Sequence, residues 1–157
     1  MLELGRFCID SEGRHGVILM LIWKFAMQFI VGNRIDVMLG CASFPGMDIE
    51  VHREVLSFLY THNRAPEALR PKPITPPEGS PDQPRYVALS DIIVPAPEFE
   101  NATRSIPTLL RGYLKLGARI SDVAVLDPVF NTTFIAIYVD AKEMMRTSTL
   151  LVTTRQR

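Results

Sequence analysis

The stretch that decides the fold is LELGRFCIDSEGRHGVILMLIWKFAMQFIVGN, from Leu2 to Asn33. LELGRFCI (2–9) reads as a strand. Leu2, Leu4 and Cys8 fall on one parity and Glu3, Phe7 and Ile9 on the other, so apolar side chains go to both faces and burial on both is expected. DSEGRHG (10–16) is rich in turn formers. VILMLIWKFAMQFIV (17–31) predicts a buried helix that stops at Gly32-Asn33. A membrane span needs about 20 apolar residues, and this run is shorter and carries Lys24 and Gln28. An interfacial helix is the alternative. Glu3 stands where a secretory leader would carry basic residues, so the expected location is the cytoplasm, with the inner membrane surface as a variant.

Outward from this segment, IDVMLGC (35–41) predicts a second strand, closed by Ala42 to Gly46. Asp48 is placed to cap a helix reaching about Thr61, with Val51, Val55, Leu56 and Leu59 as its apolar stripe. The order strand–helix–strand predicts a right-handed βαβ unit over 1–65, whose loops open on one sheet edge, the usual place for ligands. Seven of the twelve prolines lie in 66–84, which makes 66–85 a connector, either a plain spacer or a loop that covers substrate. In 86–140, order returns at Tyr86 to Val94, and Ile106 to Leu116 reads as a helix with Pro107 in its first turn and Gly117 behind it. Ala118–Leu126 and Thr133–Val139 read as an antiparallel pair. The tail, 141–157, begins as helix and has no assigned structure beyond Thr147.

Composition narrows the function. A chain of 157 residues with 47% hydrophobic residues suits one compact domain. Seventeen basic and seventeen acidic residues cancel, which argues against a basic field for nucleic acid. Cys8 and Cys41 are too few and too far apart for a disulfide framework or a zinc module, and they read as small core hydrophobes. His52 and His62 have no third ligand at metal spacing, so no metal site is expected. Ser43 lies in CASFPG, outside any Gly-x-Ser-x-Gly elbow.

Two features carry chemistry. Glu3 and Arg6 are charges in an otherwise apolar strand, costly to bury unless they are paired or used. The plain alternative is that each closes a structural ion pair elsewhere. Gly13-Arg14-His15-Gly16 precedes a helix, where free amides and the helix dipole favour phosphate and Arg14 adds charge. Gly-x-x-Gly is equally an ordinary turn.

LELGRFCID, SEGRHG before a helix, GCASFPG (40–46), GYLKLGA (112–118) and DPVFNTTF (127–134) together resemble the acyl-carrier-protein-dependent L-ornithine N-acyltransferases, some of them labelled hemolysin-like. These are similar to the GNAT acyltransferase superfamily and, in the Glu-x-x-Arg-Phe strand, to the acyl-homoserine-lactone synthases. The resemblance covers about Leu2 to Ala141. It implies an α/β, partial GNAT-like fold with a mixed, splayed central sheet flanked by helices, and a donor thioester between the first two strands.

By the same resemblance Glu3 is the base that takes a proton from the attacking amine, and Arg6 orients it or holds substrate. Gly13, Arg14, His15 and Gly16 hold the phosphate of phosphopantetheine, while Phe7, Ser43, Phe44 and Asn131 contact substrate. Aligning the superfamily loop on Gly16 puts Gly13 at its first position and Ile18 at its last, which suits one carrier phosphate better than the diphosphate of coenzyme A. No resident cofactor is implied. The donor is the acyl-carrier-protein thioester, or acyl-CoA, and the acceptor is an amino acid such as ornithine, in ornithine-lipid biosynthesis.

An acidic carrier needs a basic patch, for which Arg104, Arg111, Lys115 and Arg119 are the candidates. Relatives carry strands and helices ahead of the Glu-x-x-Arg strand, so the chain reads as N-terminally truncated. The alternatives are an acyl-CoA N-acyltransferase, a lactone-forming synthase, or an inactive partial domain that binds acyl chains, a membrane or a partner.

Overall fold

In the computed structural model, residues 1–5, 16–74, 84–94 and 99–146 are described. Within them lie β1 (Leu2–Leu4), α1 (Gly16–Gly32), β2 (Val37–Pro45), α2 (Arg53–Asn63), β3 (Arg85–Ala88), α3 (Phe99–Arg104), α4 (Thr108–Lys115), β4 (Arg119–Asp127) and β5 (Thr132–Asp140). The strands form one mixed sheet in the order β1-β2-β5-β4-β3. β1 and β2 are parallel across the α1 crossover, and every other neighbouring pair is antiparallel. This is the mixed sheet expected of a partial GNAT-like fold.

β2 runs four residues further than its composition predicts. The cause is tertiary: β5 pairs with it from Val37↔Asp140 to Pro45↔Thr132, so Ala42 to Pro45 are strand rather than closing turn. The ladder ends at Gly46, whose φ of +83° is disfavoured for a residue with a Cβ. There the Gly46 N–H donates to the Asn131 carbonyl and the Gly46 carbonyl accepts from Thr133 Oγ1, both at 2.9 Å.

Register decides which face each residue takes, because opposed residues share a side. Met38↔Val139, Ala42↔Ile135 and Phe44↔Thr133 point to one face, where α1 (Ile30), α2 (Val55, Leu56, Leu59) and α4 (Leu110, Tyr113) complete a single core. Cys41↔Ala136 and Ser43↔Phe134 point to the other, which carries none of these three helices. The expected burial of residues 2–9 on both faces turns on Phe7 and Ile9, which lie outside the described residues. Leu2 and Leu4 pack on the helix-side core, and Glu3 is exposed.

The other face is bridged by the start of the proline-rich connector. Arg70 pairs with Asp122 at 2.9 Å and donates to the Ala65 carbonyl, while the Tyr86 hydroxyl donates to the Ile74 carbonyl at 3.2 Å. Residues 70–74 are thus tied to β3 and β4 as a strap, and 75–83 of the expected connector lie outside the described residues. Under the strap β4 carries an irregularity between Ile120 and Ala124. The buried Ser121 hydroxyl repairs it, donating to the Val123 carbonyl at 2.8 Å and accepting from the Ala136 N–H.

Smaller departures have local causes. Asp48 does cap, accepting from the Glu50 N–H at 3.1 Å, but it caps a 3-10 turn (Ile49–His52) that leads into α2. This four-residue 3-10 segment, with three residues per turn, shifts the helical phase, so Val51 leaves the stripe and is exposed. Pro107 sits at the N-cap of α4 rather than inside its first turn. The six-residue α3 has too few apolar residues for a periodic signal, and it is held by contact with α2 and by the buried Ala102. The tail starts as helix over 141–146, with Met144 buried, and 147–157 lie outside the described residues. Among the described residues, no helix is long and apolar enough to cross a membrane.

Phe44 is 2% exposed in the centre of the core. Phe44→Ala is expected to destabilise the chain by about 3–5 kcal/mol, read as a lower urea midpoint at unchanged slope. A loss below about 1 kcal/mol would contradict the assigned parity of β2, since truncating an exposed side chain costs little.

Candidate active site at the end of β1

β1 meets β2 over Leu2↔Met38, Glu3↔Leu39 and Leu4↔Gly40. The last pair is close: a Cβ on Gly40 would lie 3.1 Å from the Leu4 carbonyl oxygen, tighter than an ordinary contact. Beyond Gly40, β2 continues to Pro45 along β5. In an antiparallel ladder alternate N–H and C=O groups point away from the partner, so part of the β2 backbone here is directed to the β1 side. A cavity of about 490 Å³ opens at this place.

The cavity straddles the sheet edge. Glu3, Cys41 and Ser43 reach it on the open face, while Leu4, Gly40 and Ala42 line it on the helix face with Pro107, Leu109, Leu110 and Tyr113. The carboxylate of Glu3 forms no hydrogen bond or ion pair with the described residues, whose salt bridges join other groups. The structural ion-pair alternative is therefore not realised within them. Apolar surroundings push the Cys41 thiol above its usual range, and the negative charge of Glu3 raises it further. Burial likewise raises the Tyr113 phenol, with a smaller contribution from Cys41. The Tyr113 ring stands edge-on to Trp23, with centroids 4.8 Å apart.

Of the residues read from sequence, Glu3 and Ser43 come together at this cavity. Gly16 is the first residue of α1, as expected of a loop that ends on a helix. Arg6, Phe7, Gly13, Arg14 and His15 lie outside the described residues. Phe44 does not line the cavity. Strand alternation turns it into the core against His52, whose Nε2 bonds the Pro45 carbonyl at 2.9 Å. Asn131 is also elsewhere, in the β4–β5 turn with φ +49°, and its carbonyl closes the end of β2.

Cys41 departs from its reading as a core hydrophobe. It is exposed and lines the cavity, because its parity is that of the open face. Leu109, Leu110 and Tyr113 could not be assigned to the site from sequence, where they read only as helix positions. The proposed basic patch is partly engaged within the chain. Arg111 donates to the Ile106 and Arg104 carbonyls, each at 2.9 Å, and Arg119 pairs with Glu143 at 3.5 Å, whereas Lys115 is exposed.

Curated proteins named L-ornithine N(alpha)-acyltransferase align with nearly the whole chain. The one from Rhodobacter capsulatus is 30% identical over 92% of this chain. Those from Agrobacterium fabrum and Brucella abortus are 35% and 37% identical, each over 87% of it. This chain is a relative of the L-ornithine N(alpha)-acyltransferases. It spans about half the length of the curated relatives it matches, 52%, 44% and 46% of the three. No protein-family profile matches it, and no solved structure does.

The raised Cys41 thiol has a measurable consequence, because only thiolate is alkylated. At pH 8, iodoacetamide should label Cys41 more slowly than a free cysteine, followed on the Cys41 peptide by mass spectrometry. In Glu3→Gln the lost negative charge lowers the thiol pKa, so a larger thiolate fraction and faster labelling are expected. Equal rates in the two proteins would place the carboxylate away from Cys41.

Proposed function

We propose that the chain carries the chemical centre of an N-acyltransferase that moves a 3-hydroxyacyl or other fatty acyl group from acyl-carrier protein to the α-amino group of ornithine. The observation that carries this reading is the Glu3 carboxylate, without a partner among the described residues, beside the cavity where β2 runs on past Leu4. The ornithine in the names of the relatives supports the acceptor.

In this reaction the amine nitrogen attacks the thioester carbonyl, and Glu3 takes its proton, directly or through water. Backbone N–H groups at the β1–β2 junction face the developing oxyanion. The C–S bond then breaks, an amide C–N bond remains, and the proton leaves with the phosphopantetheine thiol. An amine must be neutral to attack, which is why a carboxylate at this place serves the chemistry. No enzyme nucleophile is required. Arg6 orients Glu3 or holds the acceptor, and Gly13 to Gly16 receive the donor phosphate ahead of α1. Lys115 contributes to docking the acidic carrier, and the product belongs to ornithine-lipid synthesis.

A second reading has its own observation. On α1, Leu21, Phe25, Phe29 and Val31 are exposed, an apolar surface suited to an acyl chain, a partner or a membrane. On this reading the chain binds without turnover, and the α1 surface would bring it peripherally to the inner membrane.

Incubating the chain with 3-hydroxyacyl-carrier protein and ornithine should give acyl-ornithine by mass spectrometry, and Glu3→Gln should cut the rate about 10²–10⁴-fold. Turnover with acyl-CoA alone would select the coenzyme A variant, and a cyclised product the lactone-forming one. Vesicle flotation without acyl transfer would select the binding reading. Transfer indifferent to Glu3→Gln would overturn the assigned base.

A further inference from the structure

We propose that the open face of the sheet is the track of the acyl chain, leading from the Glu3 cavity over Ser43 and Phe134 to a pocket beneath the Pro71–Ile74 strap. This deepens the acyl-transfer reading and rests on it for the identity of the ligand. Among the described residues, three hollows reach that face. The first is the cavity beside Glu3, which reaches Cys41 and Ser43. The second, about 370 Å³, is bordered by Cys41, Ser43, Phe130 and Phe134, with Asp127 and Thr132 beside them. The third, about 300 Å³, has Val123, Val125, Phe134 and Ala136 as its floor and Pro71 to Ile74 above. Neighbouring hollows share residues, Cys41 and Ser43 at the first junction and Phe134 at the second. They therefore lie next to one another along the sheet.

The chemistry of the path selects an apolar occupant. Beneath the strap its floor consists of β5, β4 and β3, which are paired with one another, so that stretch offers no free sheet edge to a peptide. On the sheet side of the strap pocket, the Ser121 hydroxyl bonds within the β4 irregularity and the Tyr86 hydroxyl bonds the Ile74 carbonyl, while Lys72 is carried by the strap itself. A hydrocarbon loses nothing in such a place and gains by leaving water. Going from β2 to β3 crosses three strand spacings, about 14 Å in all, a length suited to a long acyl chain and wasted on an acetyl group. Ala136 occupies the middle of the floor, directly opposite Cys41. Its small side chain is what keeps the way to the strap pocket clear, which makes it a specificity-determining position.

Photolabelling tests the track without requiring turnover. The full chain is irradiated with a palmitoyl-pantetheine thioester bearing a terminal diazirine, and the labelled residues are mapped by mass spectrometry. The expected labels are on Tyr86, Val123 or Val125, at least tenfold weaker in Ala136→Trp, with Val123→Phe as a second plug should the first variant fail to fold. A butyryl probe is expected to label near Cys41 and Ser43 instead. Labels confined to Leu109–Tyr113 would put the acyl chain on the helix side and overturn the track. Labels confined to α1, an absence of labelling, or labelling unaffected in a folded plug variant would overturn it too. Labels under the strap in a chain that makes no acyl-ornithine would uphold the track and remove the catalytic reading.

Discussion

The constraint on which the rest depends is the nine-pair antiparallel ladder between β2 and β5. Side chains alternate strictly across a strand, so a single register assigns every residue of both strands to a face, and a slip of one would exchange core and surface. With Val37 opposite Asp140, the bulky residues Met38, Phe44, Ile135, Ile137 and Val139 fall on the side of α1, α2 and α4. Cys41, Ser43, Phe134 and Ala136 fall on the other. The same ladder carries β2 beyond its parallel contact with the described part of β1, and the cavity lies beside that stretch.

Among the described residues, β1 and β2 pair over Leu2–Leu4 and Met38–Gly40, and the cavity opens at that end. Gly40 lets the β1 backbone come close, and the cavity begins where that contact ends. A carboxylate placed there pays little for its charge, because Glu3 remains exposed while its neighbours Leu2 and Leu4 anchor β1 in the core. The effect on Cys41 shows the field that the carboxylate projects across the gap. The helix side of the cavity comes from α4, whose buried Leu110 and Tyr113 fix its position. One rigid wall thus faces another across the sheet edge, a more precise arrangement than a site made of loops alone.

The open face is organised by a different device. The connector that follows α2 is tied down by one ion pair and one tyrosine hydroxyl, so a proline-rich segment becomes a roof. Proline suits the role, since it has no amide donor and leaves none unsatisfied above an apolar floor. Ser121 does the corresponding work below, absorbing the irregularity of β4 without exposing unpaired backbone in the pocket.

Much of this was legible in the linear pattern. The α1 helix and its stop, the parallel first pair, the antiparallel final pair and the α4–Gly117 boundary all follow from periodicity and from residues with restricted backbone freedom. The unusual carboxylate in an apolar strand was equally visible as a candidate site residue. What sequence alone determined is the local structure and the chemical types available, because these depend on near neighbours in the chain. Only the tertiary structure decided that Cys41 is a cavity residue and Phe44 a core residue, that α4 walls the site, and that residues 70–74 form a strap. Each of these is set by register or by contacts between distant segments, and a strand does not encode which of its two faces the helices will cover.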